Sequence, residues 1–292
     1  MDNNTKKEAD HMKFIKAAAV SVSLIMAAAA YSCGKSDRQQ KTENLLTVTF
    51  FDVGKADSIL LRTDNSTVII DCGEKGDGKE IVNTLAEESI DTVDYLIITH
   101  YDKDHVGGAA KVIKELDVKN VLAPDYAEES DEVGKYEKAL ASKNIEPTLL
   151  TEDISFELDG VSYTVDAPDK DYYGEDNDND FSLVTKAVHG GNTLLFAGDA
   201  TEERLNEIMD IGKCTLLKLP YHGREIANLS EFLSRTSPQC IVVCTSKGEY
   251  DSEVQNLLLE SNIPTYSTCF NGKITAVSDG EKITVTTEKG EV

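Results

Sequence analysis

Positive charge is what this chain has least of. Its 29 lysines and arginines stand against 53 aspartates and glutamates, a formal net charge of −24 over 292 residues. No run of Lys or Arg forms a basic patch, so the footprint of a surface that grips nucleic acid non-specifically is missing and polyanions are repelled. Cysteine supplies no framework either. Cys72, Cys214, Cys240, Cys244 and Cys269 follow Cys33, an odd number that cannot all pair within one chain, and none has zinc-ribbon spacing. Cys240 and Cys244 share one face of an expected strand and read as small buried hydrophobes. No repeat recurs at solenoid or propeller periods. The 40% hydrophobic content still supports a normal core at this length.

The apolar run at the front, residues 17–31, is too short to span a bilayer comfortably. It follows Lys13 and Lys16 and ends in Ala30-Tyr31-Ser32-Cys33-Gly34. Residues 1–33 therefore have the form of a secretion signal, and its end resembles a bacterial lipoprotein cleavage box with Cys33 as the lipidated first residue. The expectation is export and membrane anchoring through Cys33, facing outside the cytoplasm, with plain secretion as the alternative. Met12 is an alternative initiator. Residues 34–44 are almost devoid of apolar side chains and read as a flexible tether, and residues 45–292 form the domain proper.

What the chain has in abundance is potential metal ligands at one place. In Leu96-Ile97-Ile98-Thr99-His100-Tyr101-Asp102-Lys103-Asp104-His105-Val106-Gly107-Gly108, two histidines and two aspartates fall within six positions. An ordinary acidic turn needs Asp or Asn but has no use for two flanking histidines, and so many ligating groups together are costly unless a cation sits among them. Residues 93–98 are β-branched and apolar, a buried strand, and Gly107 and Gly108 free the backbone before a helix over 109–116. The ligands crown a strand end, where loops converge on a rigid sheet.

Other segments repeat that pattern. A strand over 67–71 ends at Asp71-Cys72-Gly73 and leads to a helix over 79–88. Residues 120–123 are a strand and 132–142 a helix, after which hairpins turn at Asp159-Gly160 and at Gly190-Gly191-Asn192. The acidic stretch 169–180 places Asn179 or Asp180 to face the site. A strand over 194–197 delivers Gly198-Asp199, with a helix over 201–209, and a strand over 214–219 ends in Pro220-Tyr221-His222-Gly223. The final part gives a helix, the Cys240 strand, a helix over 252–260 and a hairpin turned at Asp279-Gly280. The reading is an α+β domain of two sheets with helices. Four strand ends thus carry Asp71, His100 with its cluster, Asp199 and His222.

This ordered set resembles the metallo-β-lactamase fold superfamily, and most closely the corresponding domain of the competence DNA-uptake protein ComEC and its free-standing relatives. Asp52-Val53-Gly54-Lys55-Ala56-Asp57 is similar to that branch's Asp-Val-Gly-Gln-Gly-Asp, and Asp71-Cys72-Gly73 to its Asp-Thr-Gly. Thr99-His100-Tyr101-Asp102-Lys103-Asp104-His105-Val106-Gly107-Gly108 is similar to its Thr-His-x-Asp-x-Asp-His-x-Gly-Gly. Asn179-Asp180-Phe181-Ser182-Leu183-Val184 resembles an Asn-Ser-Leu-Val stretch, Gly198-Asp199 its Gly-Asp, and Lys218-Leu219-Pro220-Tyr221-His222-Gly223 its Lys-x-Pro-His-His-Gly. Tyr221 stands where the relatives carry the first of two histidines.

The resemblance implies a four-layer αββα sandwich with up to two divalent cations, Mn²⁺ or Zn²⁺, at one edge of the sheets. Asp199 would bridge them, with Asp104, His105 and His222 completing one site and His100 and Asp102 the other. His189 is the remaining histidine of the domain, at the far end of its hairpin. The implied chemistry is phosphodiester hydrolysis by a metal-bound hydroxide, with DNA or a small phosphate ester as substrate. Asp104 would orient the nucleophile. Lys218 would neutralise charge on the phosphate, or is simply a strand lysine facing solvent, and Asp71 would be structural. Hydrolysis of a small ester or lactone, or a non-catalytic surface domain keeping one structural metal, are the alternative readings.

Overall fold

The computed structural model describes residues 44–174 and 177–290; the expected signal, Cys33 and residues 34–43 of the tether lie outside the described residues. Alternation of apolar and polar side chains makes the first strands. β1 (Leu46–Phe50) buries Leu46, Val48 and Phe50 on one face, and β2 (Ser58–Arg62) and β3 (Thr67–Cys72) follow as antiparallel neighbours. The chain continues through α1 (Gly78–Glu87), β4 (Thr92–Ile97), the single-turn α2 (Lys103–Val106), α3 (Ala109–Glu115) and β5 (Asp117–Pro124). Next is α4 (Asp131–Lys143). Ser130 caps it by accepting from the Val133 N–H, and Asn144 ends it in the left-handed conformation; Val133, Tyr136, Ala139 and Leu140 make its buried stripe.

β6 (Thr148–Leu150) closes this half. The second half runs β7 (Ile154–Leu158), β8 (Val161–Asp166), β9 (Val184–His189), β10 (Asn192–Phe196), α5 (Glu202–Glu207), β11 (Leu216–Lys218), α6 (Leu229–Thr236), β12 (Cys240–Val243), α7 (Ser252–Ser261), β13 (Thr265–Ser267) and α8 (Thr268–Asn271). A final hairpin, β14 (Ile274–Ser278) and β15 (Ile283–Thr287), returns to pair with β1.

Among the described residues, one sheet has the order β15-β14-β1-β2-β3-β4-β5-β6 and the other β13-β12-β11-β10-β9-β8-β7. In each, antiparallel hairpins give way to a parallel run, β3 to β6 and β10 to β13. Three apolar layers follow. The central one packs sheet on sheet, with Phe50 facing Phe196 at a ring separation of 6.2 Å and Leu61, Ile70, Leu194 and Leu216 around them. The second joins Ile69, Leu96 and Val121 to Ile81 and Leu85 of α1, Val112 of α3 and Tyr136 of α4. The third joins Leu195, Leu217 and Ile241 to Leu205, Phe232 and Val254 of α5, α6 and α7. The result is the α/β/β/α sandwich expected.

Short elements depart from the sequence reading. The strands β6 and β13 and the turns of helix α2 and α8 are three or four residues long, below the length at which periodicity is visible. The five described cysteines are free, with Cys240 and Cys244 in the central core as expected.

Candidate metal centre

Parallel strands put their C-terminal ends on one edge, and each ligand loop leaves from such an end. The loop after β4 carries Thr99, His100, Asp102 and, in α2, Asp104 and His105. The loop after β10 carries Asp199, and the turn after β11 carries His222. Gly198 has a φ of +53°, and a side chain there would meet Ser182 and Thr99 at about 3 Å, so only glycine lets the Asp199 loop approach. The pair Gly107-Gly108 has a different reason: a Cβ on Gly108 would lie 2.1 Å from the Cys72 carbonyl oxygen, which is how closely α3 docks on the end of β3.

Three imidazoles converge. His105 Nε2 lies 3.3 Å from His222 Nε2 and 3.4 Å from Asp199 Oδ2, and His222 Nε2 lies 2.9 Å from Asp199 Oδ2 and 3.4 Å from Asp104 Oδ2. His100 joins His105 and Asp199 in a second group, its ring 4.0 Å from that of His105. All three histidines are fully buried and Asp104 and Asp199 nearly so. Asp102 is the outlying member: its carboxylate is half-exposed, 3.6 Å from His100 Nε2.

Each ring is held from behind. His105 Nδ1 donates to Asp71 Oδ2 at 2.7 Å, and His222 Nδ1 donates to the Cys244 carbonyl at 3.0 Å. Thr99 Oγ1 gives its one proton to Asp71 Oδ2 at 2.6 Å, so at 3.1 Å it accepts from His100 Nδ1. With every Nδ1 held as a donor, every Nε2 faces the cluster, and loss of the Nε2 proton leaves the tautomer that metal ligation requires. Asp71 also accepts from the Thr99 N–H at 2.8 Å. It is thus a positioning carboxylate, as expected, on a left-handed backbone with a φ of 56°. His222 and Tyr221 share that conformation at 53° and 51°; such positions cost roughly 1–3 kcal/mol each and gather at functional sites.

The donor set fits a divalent cation. His100 Nε2 and Asp199 Oδ1 are buried and make no hydrogen bond, a costly state that a metal would relieve. Electrostatics agree. Burial opposes the charge on Asp199, but His222 and His105 outweigh it and hold the carboxyl well below the usual range; the same contest, with His222 foremost, depresses Asp104. Burial also opposes charge on His222, yet Asp199, Asp104 and Asp57 raise its pKa to about 9. Carboxylates kept ionised against burial favour a proton on the imidazoles they face, and that proton is what a cation would replace.

Lys218 is not where a substrate would find it. Its ammonium is fully buried, ion-paired with Asp57, 3.7 Å from Asp199 Oδ1 and donating to the Gly198 carbonyl at 2.9 Å. The phosphate-neutralising and solvent-facing roles both give way to a support role beneath Asp199, because a strand lysine on the inner face meets the buried Asp57. Asp180 likewise does not face the cluster. Its Oδ1 accepts from the Thr201 N–H at 2.7 Å and the Thr201 hydroxyl at 2.6 Å, fixing the start of α5. His189 bonds Ser278 Oγ at 2.8 Å in the far hairpin.

Two residues of the opening motif were not singled out in the sequence. Asp57 is buried under Lys218, and Lys55 reaches Asp104, Nζ to Oδ2 3.0 Å, with its side chain 31% exposed. A charged residue wedged between Ala56 and an apolar strand was the available signal for Asp57. Ser182 lies in the Asn179-to-Val184 motif, and its Oγ accepts from the Asp199 N–H at 3.0 Å and so sets that loop.

Comparison with known proteins agrees with this geometry. The family model described as the Metallo-beta-lactamase superfamily matches residues 51–246. The chain is 27% identical over 210 residues to ComE operon protein 3 of Bacillus subtilis, covering 67% of this chain and 26% of that protein. It is 27% identical over 207 residues to competence protein ComA of Neisseria gonorrhoeae, covering 68% and 27%. It therefore spans about a quarter of the length of these relatives. Among solved structures, the metallo-beta-lactamase fold protein YhfI of Bacillus subtilis superposes with a TM-score of 0.55 at 10% identity, covering 77% of this chain and 96% of that one, a likeness of fold.

Proposed function

Because the chain belongs to the metallo-β-lactamase superfamily, we propose that it is a metal-dependent hydrolase of a phosphodiester, exported and anchored at the membrane through Cys33. The observation that carries the catalytic part is the convergence of three Nε2 atoms, each ring fixed through its Nδ1, on the carboxylates of Asp104 and Asp199. His105, His222, Asp104 and Asp199 would hold one cation, and His100 with Asp102 would extend the site to a second. Divalent cations such as Mn²⁺ or Zn²⁺ supply an acidified water and polarise a phosphoryl oxygen.

The protein's own groups do the rest. Asp104 keeps its charge despite burial, so it can accept a hydrogen bond from an attacking water and orient it. Lys218 neutralises Asp57 and steadies Asp199 beneath the site, which keeps the ligand loop in place without touching substrate. Oxygen-rich ligation by two or three aspartates favours Mn²⁺ more than an all-imidazole site would. The absence of any Lys or Arg cluster disfavours extended duplex DNA and favours a small phosphate ester. Export rests on Lys13, Lys16 and the apolar residues 17–31 before Cys33.

The test is turnover of bis(p-nitrophenyl) phosphate by the full chain after loading with Mn²⁺ or Zn²⁺, alongside Asp104→Asn and Asp199→Ala. Hydrolysis in the parent, lost by a hundredfold or more in both variants while the fold persists, supports the assignment. A metal-loaded parent that cleaves no phosphodiester refutes it.

A further inference from the structure

Resting on the phosphodiester reading above, we propose that Lys55 anchors the substrate: its ammonium takes a non-bridging phosphoryl oxygen and makes the site selective for anionic esters. The ammoniums of Lys55 and Lys218 both lie against the ligand cluster, but they differ in access. Lys218 is fully buried and bound on several sides, whereas Lys55 keeps 31% of its side chain in solvent while its Nζ sits 3.0 Å from Asp104 Oδ2. A cation at that boundary faces the cluster on one side and an arriving ligand on the other.

The turn that presents Lys55 is braced on the site itself. The Phe51 N–H donates to the Ser58 carbonyl at 3.1 Å, the Asp57 N–H donates to the Asp104 carbonyl at 3.2 Å, and the Gly73 N–H donates to the Asp57 carbonyl at 2.7 Å. The backbone is thereby fixed relative to Asp104, and the four-carbon stem of lysine gives the ammonium freedom to pass from the carboxylate to a nearby anion. Arg224 lies beside it, close enough to oppose the Lys55 charge, but is engaged elsewhere: it pairs with Glu249 and lies over the Tyr221 ring at 5.4 Å. Arg224 is thus committed to Glu249 and Tyr221, whereas Lys55 is the cation of this rim paired with Asp104 of the cluster.

The chain's net charge of −24 makes such a group consequential, since the long-range field repels a phosphoryl anion and a cation at the rim of the metal site offsets that locally. The sequence supplies that cation where the resembling motif has a neutral glutamine. A charge-assisted contact of this kind is worth about tenfold or more in binding.

The experiment uses the full chain loaded with Mn²⁺, with Lys55→Gln and Lys55→Arg. Calorimetry measures inorganic phosphate binding, kinetics compare bis(p-nitrophenyl) phosphate with p-nitrophenyl acetate, and elemental analysis follows bound metal. Expected for Lys55→Gln are phosphate affinity and diester KM worsened by about tenfold or more, with metal content held and the neutral ester affected several-fold less than the diester; Lys55→Arg restores most of the loss. Phosphate binding indifferent to Lys55, absent from the parent, or lost only in step with metal overturns the proposal. Should the parent bind phosphate through Lys55 yet cleave no diester, the anchor stands and the hydrolase assignment falls; diester turnover unaffected by Lys55→Gln has the opposite meaning.

Discussion

Replacing Asp71 with Asn changes one atom type at the hub of the site. Asp71 is fully buried and accepts three hydrogen bonds, from the Thr99 N–H at 2.8 Å, the Thr99 hydroxyl at 2.6 Å and His105 Nδ1 at 2.7 Å. Asn tolerates the left-handed backbone at φ 56°, so the change isolates the side-chain chemistry. Its carboxamide keeps one acceptor oxygen, and if that oxygen stays with the Thr99 N–H, an NH₂ group faces the His105 ring. Two donors then oppose each other. Relief comes when His105 shifts its proton to Nε2, which blocks ligation. Charge-assisted bonds are worth roughly 1.5–3 kcal/mol each, and with partial replacement by the amide the net loss of metal-free stability should be about 2–4 kcal/mol. Metal affinity should fall about 10- to 100-fold. Denaturant unfolding in excess chelator gives the first quantity and competition with a chromophoric chelator the second. An Asp71→Asn protein that binds metal within a few-fold of the parent would show that Asp71 does not set the His105 tautomer, and the positioning argument would be wrong.

The other expectations follow from the same contacts. His222 has a folded pKa of about 9, above its unfolded value, because Asp199, Asp104 and Asp57 outweigh burial. Its contribution to metal-free stability is therefore complete below about pH 6.5 and lost as pH rises through about 9, a decline of roughly 3 kcal/mol measurable by urea unfolding in chelator. Metal affinity should run the other way and strengthen across that window, since the proton competes with the cation; a flat profile in both contradicts the charge network. Lys218→Met should cost about 3–5 kcal/mol by stranding Asp57 and Asp199 while leaving KM for substrate unchanged, and a selective KM effect would return Lys218 to the substrate. Gly108→Ala should abolish soluble folded protein or lower the melting temperature by 10 °C or more, on the order of 4 kcal/mol for a domain of this size, because its Cβ would sit 2.1 Å from the Cys72 oxygen. A near-parental melting curve rules that out.

The layers and the ligand set were legible because both are written in local pattern. Strand alternation and hydrophobic stripes are short-range signals, and His100, Asp104 and His105 sit within six residues, so the loop after β4 and the single turn of α2 present them together. Asp199 and His222 could be placed because each follows an apolar strand and then breaks pattern with a glycine beside it. Lys218 was misread for a physical reason. A lysine in a strand is ordinarily exposed, and only the counter-charge of Asp57, 161 positions earlier in the chain, lets it be buried. Lys55 was passed over for the converse reason: in a polar turn a lysine is unremarkable until Asp104 is seen 3.0 Å away. Asp180 carried the right kind of side chain for a ligand, yet the start of α5 needs an acceptor for the Thr201 N–H and takes it.

Metal stoichiometry of the full chain tests the central claim most directly. Protein purified without chelator, then dialysed against Mn²⁺ or Zn²⁺, should carry one to two equivalents by elemental analysis, and Asp199→Ala should lose most of it while its circular dichroism stays that of the parent. A parent that retains no metal after either dialysis would contradict the assignment of His100, His105, His222, Asp104 and Asp199 as a metal centre.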